Sequence, residues 1–82
     1  MEHSHPMTEE RMALIIDIWS VRGKLPINHA EVKLLHRLID SSQSYYTYTD
    51  RNQLTVIRTK YIKYLQRKKL DDMVEGLANL TR

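Results

Sequence analysis

The first half of the chain contains two segments of helical apolar spacing separated by a short polar break. Thr8 is placed to cap the first segment, because two glutamates follow it in the turn where the helix dipole favours anions. Gly23 follows the last apolar position and Pro26 comes soon after, which is the usual end of a helix. The pattern predicts a first helix over residues 9–22.

Apolar residues cover about 220° of that helix when successive residues are placed 100° apart. One small domain normally buries about 100–140° of a helix. The stripe of Met12, Ile16 and Trp19 therefore leaves a second apolar side, which predicts contact with another copy of the chain. The predicted dimer interface combines four residues of this helix with two of the C-terminal segment: Leu14, Ile18, Trp19, Val21, Met73 and Leu77.

The second segment carries a clearer pair of capping residues. Asn28 is placed as the N-cap, and Glu31 lies at the third helical position, from which its carboxylate reaches back to the cap. The apolar positions that follow share one arc, opposite the charged ones, which predicts a helix from residue 29 to about residue 41. Because the connection between the two segments is short, they should form an antiparallel hairpin.

Residues 41–49 interrupt the apolar spacing and hold three of the five tyrosines, so they predict a loop. Asp50 and Gln53 then form a cap-like pair, and an amphipathic third helix is predicted over residues 51–67. The final apolar set is rotated by about half a turn from the stripe of that helix. Either a short fourth helix begins near residue 68, or a continuous helix presents its tail to a second chain. The members of this set are Leu70, Met73, Val74, Leu77 and Leu80.

Length and composition set the size and class of the protein. With 82 residues, 41% hydrophobic and 28% charged, the chain is in the range of one small folded domain, and its two Gly and two Pro favour helices over strands. We expect an all-α fold, in which residues 1–7 form a flexible tail and residues 8–82 a single domain. That domain should comprise the hairpin, a long basic third helix and a short C-terminal helix. Since so small a core gains from added burial, a homodimer is expected.

The chain shows no membrane or export signal. Its longest apolar run, from Met12 to Ile16, is too short to cross a bilayer, and its first residues lack the basic region and hydrophobic core of a signal peptide. It contains no cysteine, as is common in a reducing compartment. These features predict a cytoplasmic protein without membrane insertion.

Positive charge is concentrated in one part of the chain. Of the net charge of +3, residues 1–41 contribute −1 and residues 42–82 contribute +4. Seven basic residues and no acidic residue lie between Arg51 and Lys69. Such a segment is typical of a solvated helix face, and it also attracts a phosphate backbone or an acidic protein surface.

The sequence contains no motif of a catalytic or cofactor-binding site. Phosphate-binding glycine loops, dinucleotide motifs, nucleophile elbows and Cys/His metal spacings are all missing. His29 and His36 are about 10 Å apart along the second helix, too far for one metal ion, and we expect both at the surface. The prediction is a protein without enzymatic activity, metal or cofactor.

The loop tyrosines and the polar face of the third helix supply the candidate partner-binding residues. Tyrosine is enriched at protein interfaces. Tyrosine rings also stack on nucleic-acid bases while neighbouring cations bind the phosphates. A third possibility is that these rings anchor the loop on the core. A helix-turn-helix needs a turn of three or four residues. It fits poorly, because the gap between the second and third predicted helices is about ten residues long. A ribbon-helix-helix, with a strand from Tyr45 to Thr49, leaves the first two helices unexplained. The candidates are Tyr45, Tyr46, Tyr48, Lys60, Lys63 and Arg67.

The segment from Ile15 to Gly23, followed by Pro26-Ile27-Asn28 and by Lys33 to Ile39, resembles the small helical two-component connector proteins of enteric bacteria, the YmgB/AriR-like biofilm-development family. The resemblance covers residues 9–40. It implies a non-enzymatic dimer that binds a response regulator or another transcription factor and adjusts stress, acid-resistance or biofilm genes. We therefore expect a small regulatory protein that acts by protein–protein binding; the alternatives are a DNA-binding regulator and a phage-type inhibitor of a host protein.

Overall fold

The computed structural model describes residues 4–40 and 44–80, and in this part of the chain three α-helices account for most of the structure. The predicted all-α class is confirmed. One short antiparallel pair of strands joins the helices. The elements are β1 (Ser4–Pro6), α1 (Glu9–Ser20), a 3₁₀ turn (Arg22–Lys24), α2 (His29–Asp40), β2 (Tyr45–Thr47) and α3 (Tyr48–Leu80).

The first two helices begin where the capping residues predicted. The Thr8 hydroxyl accepts a hydrogen bond from the Arg11 backbone N–H at 3.1 Å. At the start of α2 the Asn28 side chain accepts from the Glu31 N–H at 2.9 Å, and the Glu31 carboxylate accepts from the Asn28 N–H at 3.0 Å. This reciprocal pair satisfies two backbone donors that the first turn of a helix leaves free.

The end of α1 and the first described residues differ from the prediction. Helix α1 stops at Ser20 rather than at residue 22, because the chain tightens into the 3₁₀ turn before α2. The expected flexible tail is wrong for residues 4–6, which form β1 and pair with β2, with His5 opposite Tyr46. Residues 1–3 and 41–43 lie outside the described part, where the tail and loop predictions are not tested.

The loop predicted over residues 41–49 is wrong for residues 45–49, because residues 45–47 form β2 and α3 begins at Tyr48. Thr47 is the cap of this helix: its hydroxyl accepts from the Asp50 backbone N–H at 3.0 Å. The pair predicted at the start of α3, Asp50 with Gln53, is therefore replaced by Thr47 with Asp50. The helix starts three residues earlier than expected.

A single small core lies between the three helices and β2. Ile15 and Ile18 enter it from α1, while Leu54 and Ile57 enter it from the first half of α3. Because Tyr46 also lies in it, the strand pair closes one side of the core. The buried apolar residues are Ile15, Ile18, Leu25, Leu34, Leu35, Leu38, Tyr46, Leu54 and Ile57.

Two ion pairs set the position of α2 against α3. Arg37 donates two hydrogen bonds to the Asp50 carboxylate, at 2.8 and 3.2 Å. Nearer the start of α2, the Glu31 carboxylate accepts two hydrogen bonds from the Lys60 ammonium, at 2.9 and 3.1 Å. From the first pair to the second, the residue number falls from 37 to 31 in α2 and rises from 50 to 60 in α3. The two helices are therefore antiparallel, and the ion pairs fix their register.

The second half of α3 extends beyond this core. The molecule measures 61 × 25 × 19 Å, and its long dimension reflects a helix of 33 residues. Tyr64 is the last described residue that packs against the core, and every residue from 65 to 80 is exposed. We call residues 65–80 the arm and the rest of the described chain the body. At 1.5 Å per residue the arm projects about 24 Å.

The predicted short C-terminal helix is wrong, since α3 continues without a break to Leu80. Of the two arrangements that the rotated apolar set left open, the structure has the continuous helix. Its early residues face the body, and the later apolar set faces the opposite way because the rotation accumulates along a straight helix.

Candidate interaction surface on the projecting helix

The residues of α1 that the sequence placed in a dimer interface belong to the body. Ile18 is fully buried in the core, so its assignment to an interface is wrong. Leu14, Trp19 and Val21 are partly buried and pack against the same core. The wide apolar arc of α1 does not require a second chain, because these side chains lie in or against the core of the same chain. Ile16, predicted to lie on its main stripe, is instead about half exposed.

Trp19 is covered by neighbouring side chains. The Arg22 guanidinium carbon lies 3.8 Å from the centre of the Trp19 ring, a distance typical of a cation–π contact. Arg22 also donates to the Trp19 carbonyl at 2.8 Å, and the His36 ring stands 5.6 Å away. Trp19 therefore stabilises the junction of α1 and α2 and offers a partner little free ring surface.

The structure separates the three tyrosines predicted to bind a partner. Tyr46 is buried in the core, so its assignment as a contact residue is wrong. Tyr45 and Tyr48 are more than half exposed. The His5 ring lies 6.0 Å from the Tyr46 ring and 5.9 Å from the Tyr48 ring, which joins β1 to the start of α3. Of the three rings, two remain available to a partner.

The three predicted cations are separated in the same way. Lys60 is bound to Glu31, and this ion pair lines a shallow groove of about 310 Å³ between α2 and α3. Lys63 and Arg67 are exposed, one turn apart on α3. Burial tends to raise the pKa of Glu31, but the Asn28 N–H and Lys60 outweigh it and lower that pKa. Lys60 thus has a structural partner, whereas Lys63 and Arg67 face solvent.

The largest exposed apolar surface lies on the arm. Five apolar side chains there are between 57% and 82% exposed. At 100° per residue they fall within an arc of about 120°, opposite the side of α3 that packs on the body. We call this set the arm stripe; its members are Leu70, Met73, Val74, Leu77 and Leu80. Met73 and Leu77, predicted in a dimer interface, are both part of it.

The arm stripe is costly to leave in water. Fully burying a Leu, Val or Met side chain contributes about 1.5–3 kcal/mol, so five side chains more than half exposed give up several kcal/mol. No described side chain of the arm packs against the core to support its helical form, and an isolated helix of about 15 residues is marginal in water. Gly76 weakens it further, by up to about 1 kcal/mol relative to Ala. The arm therefore has the properties of a segment that packs against a partner.

Other kinds of site are not evident in the described residues. No three His, Asp or Glu side chains within residues 4–40 and 44–80 come together in a way that holds a metal ion. No described helix is both long enough and apolar enough to cross a membrane. His29 and His36 are exposed, as predicted.

Comparison with known proteins gives no relative: no family model, no curated protein and no solved structure matches the chain. Assignment of a function therefore depends on the surface of the molecule itself.

The sequence prediction lacks two features that position this surface, the cap at Thr47 and the ion pair of Lys60 with Glu31. The spacing Thr47-x-x-Asp50 is a capping-box signal, and it marks the start of α3 correctly. The ion pair of Lys60 with Glu31 had no comparable signal, because its two residues are 29 positions apart.

Proposed function

We propose that this protein is a small non-enzymatic regulator that acts by protein–protein binding, and that the arm stripe is its main contact surface. The observation that carries this proposal is the projecting arm, with five exposed apolar side chains on one face and no covering element among the described residues. Contiguous apolar surface of this kind marks protein interaction sites on soluble domains. An amphipathic helix also offers such a stripe in the form that a partner's helix or groove accepts.

A transcription response regulator is the partner class that the sequence resemblance over residues 9–40 suggests, and we keep it as part of the proposal. Outside the arm stripe, Tyr45 and Tyr48 are exposed near the start of α3, and Lys63 and Arg67 are exposed near the base of the arm. Cytoplasmic action follows from the same proposal, because such regulators act there.

The test compares two variants of the arm in affinity capture from extracts of the source cells. Leu77→Glu places a charge in the arm stripe, whereas Asn79→Glu adds the same charge on the opposite face of the same helical turns. We expect wild type and Asn79→Glu to retain a protein that Leu77→Glu loses, because a carboxylate in an apolar contact must be desolvated. Identical retention by all three chains would contradict the proposal.

Direct DNA binding is the second candidate, and the exposure of Lys63 and Arg67 on one face of α3 favours it. Two cations one turn apart can contact successive phosphates. The contribution predicted for Lys60 is reduced, because its ammonium is bound to Glu31.

A further inference from the structure

We propose that the arm stripe is covered by the arm stripe of a second copy of this chain, with the two helices antiparallel. This inference rests on the proposed function, since it names a second copy of the chain as the protein that covers the arm stripe; a regulator partner then contacts the exposed groups outside that stripe. Three properties of the arm support it: the pattern of its apolar residues, the order of its charges, and its length beyond the body.

The apolar residues form complete layers when two arms are antiparallel. Leu70, Met73, Leu77 and Leu80 recur at alternating intervals of three and four, the spacing of a coiled-coil seam. With Leu70 opposite Leu80 of the second copy, Met73 lies opposite its Leu77. By two-fold symmetry this gives four layers made only of apolar side chains of similar size. Val74 of each copy then flanks the middle of the seam.

The charges on the arm favour the antiparallel orientation. Three cations at its base precede three acidic residues, so its net charge is zero. The C-terminal end of a helix carries a partial negative charge. In an antiparallel pair, this end of each arm lies beside the three cations at the base of the other arm. A parallel partner would instead place Lys63 opposite Lys63 and the two basic segments side by side. The charged residues of the arm are Arg67, Lys68, Lys69, Asp71, Asp72 and Glu75.

The length of the arm leaves room for the second copy. Overlap from Leu70 to Leu80 is about 16 Å long, and the partner's helix ends about 9 Å beyond Tyr64, where contact with the body stops. Because the arm stripe points away from the body, the two bodies lie at opposite ends without colliding. So short an overlap predicts a modest affinity, with a Kd of about 1–100 µM.

The first experiment is sedimentation equilibrium of the full chain over a concentration range that spans this Kd. We expect a monomer–dimer equilibrium for wild type and for Asn79→Glu. Leu77→Glu should weaken it by at least about 50-fold, because two carboxylates enter the seam. All three chains should share one thermal midpoint, since neither side chain contacts the body. A monomeric wild type, or an unchanged dimer in Leu77→Glu, overturns the proposal.

The second experiment determines orientation with introduced thiols, which are unique because the chain has no cysteine. A mixture of Leu70→Cys and Leu80→Cys chains should form a mixed disulfide, since these positions face each other. Leu70→Cys alone should not, because its two copies are about 15 Å apart along the antiparallel seam. Efficient cross-linking of Leu70→Cys with itself indicates a parallel pair and overturns the proposed orientation.

The two proposals fail in different ways. A monomeric wild type that still retains another protein through Leu77 rejects the second copy and keeps the arm as a binding surface. If Leu77→Glu still self-associates and still captures the same protein as wild type, both proposals are rejected.

Discussion

At the scale of single residues, Arg37 and Asp50 hold α2 against the start of α3 from very different surroundings. The Arg37 side chain is 52% exposed, whereas that of Asp50 is 9% exposed. The hydrogen bonds from Arg37 lower the pKa of Asp50 despite its burial, and those from Thr47 lower it further. The same contact raises the pKa of Arg37. Asp50 thus combines two roles, as partner of Arg37 and as part of the α3 cap.

Replacing Arg37 by Gln should lower the free energy of unfolding at pH 7 by about 1–2 kcal/mol. This loss is smaller than for a fully buried ion pair, because the guanidinium is half exposed. The pKa of Asp50 is lower in the folded chain than in the unfolded one, about 3.9. The stabilisation is therefore complete above about pH 5, where the carboxylate is ionised in both states, and is lost as pH falls through the folded pKa. Urea titrations of wild type and Arg37→Gln at pH 7 and at a series of pH values from about 4 down to about 2 measure how the difference in stability changes.

Arg51→Gln is the matched control, because Arg51 is an exposed residue in the first turns of α3 and forms no ion pair among the described residues. It should change stability by less than about 0.5 kcal/mol. If Arg37→Gln lost as much stability in acid as at pH 7, the charge on Asp50 would not be what Arg37 stabilises.

At the scale of elements, α3 is one helix with two different environments. Its first half is held by the Thr47 cap, the two ion pairs and the core, whereas every residue of the arm is exposed. Local opening free energies follow this difference in packing, so the arm should open far more readily than the body.

Substitution of Gly76 by Ala tests this division. A methyl group at this position meets no atom within 4 Å apart from the neighbouring residues and the backbone of its own helix. At concentrations where the chain is monomeric, Gly76→Ala should increase helix content measured by circular dichroism, since Ala is favoured by up to about 1 kcal/mol in a helix. The thermal midpoint of the body should stay unchanged. The opposite change two residues further along, Ala78→Gly, should lower the helix content. A shift of the thermal midpoint in either variant would show that the arm and the body unfold together.

At the scale of the whole molecule, an antiparallel dimer separates two basic α3 segments by the length of the paired arms. Each chain then offers Lys63 and Arg67 to a phosphate backbone, with Lys60 retained by Glu31. If DNA binds, log affinity should fall against log salt with a slope near −1.8 for each chain in contact, about −0.9 for each of two cations. Electrophoretic mobility shifts with a mixed-sequence duplex at several salt concentrations measure it.

Lys63→Ala with Arg67→Ala should remove that binding, whereas Lys60→Ala should leave most of it. A slope near −2.7 with equal sensitivity to Lys60 would show that the Glu31 pair opens on DNA. Absence of any shift at low salt with micromolar protein rejects this second candidate, since phosphate contacts are strongest there.

The sequence alone determined what depends on neighbours within a few positions. The caps at Thr8 and Asn28, the all-α class and the half-turn rotation of the arm stripe all follow from spacings of three to seven residues. The capping box at Thr47 is equally local, and the predicted start of α3 at residue 51 is wrong because it depends on Asp50 with Gln53 instead. Local rules apply because a helix brings only residues three and four apart into contact. The family resemblance and the transcription-factor partner remain predictions.

Tertiary structure alone decided which apolar faces are covered. The sequence predicts that the arc of α1 is too wide for one chain, yet Ile18 is buried in a core completed by β2 and α3, and Trp19 lies under Arg22, three residues along the chain. The partners of Lys60 and Asp50 were set in the same way, by the packing of α2 on α3. The arm stripe stays exposed because a continuous helix turns it away from its own body. Amphipathic spacing shows that a face is apolar, whereas only the path of the whole chain shows whether that face meets the core or the solvent.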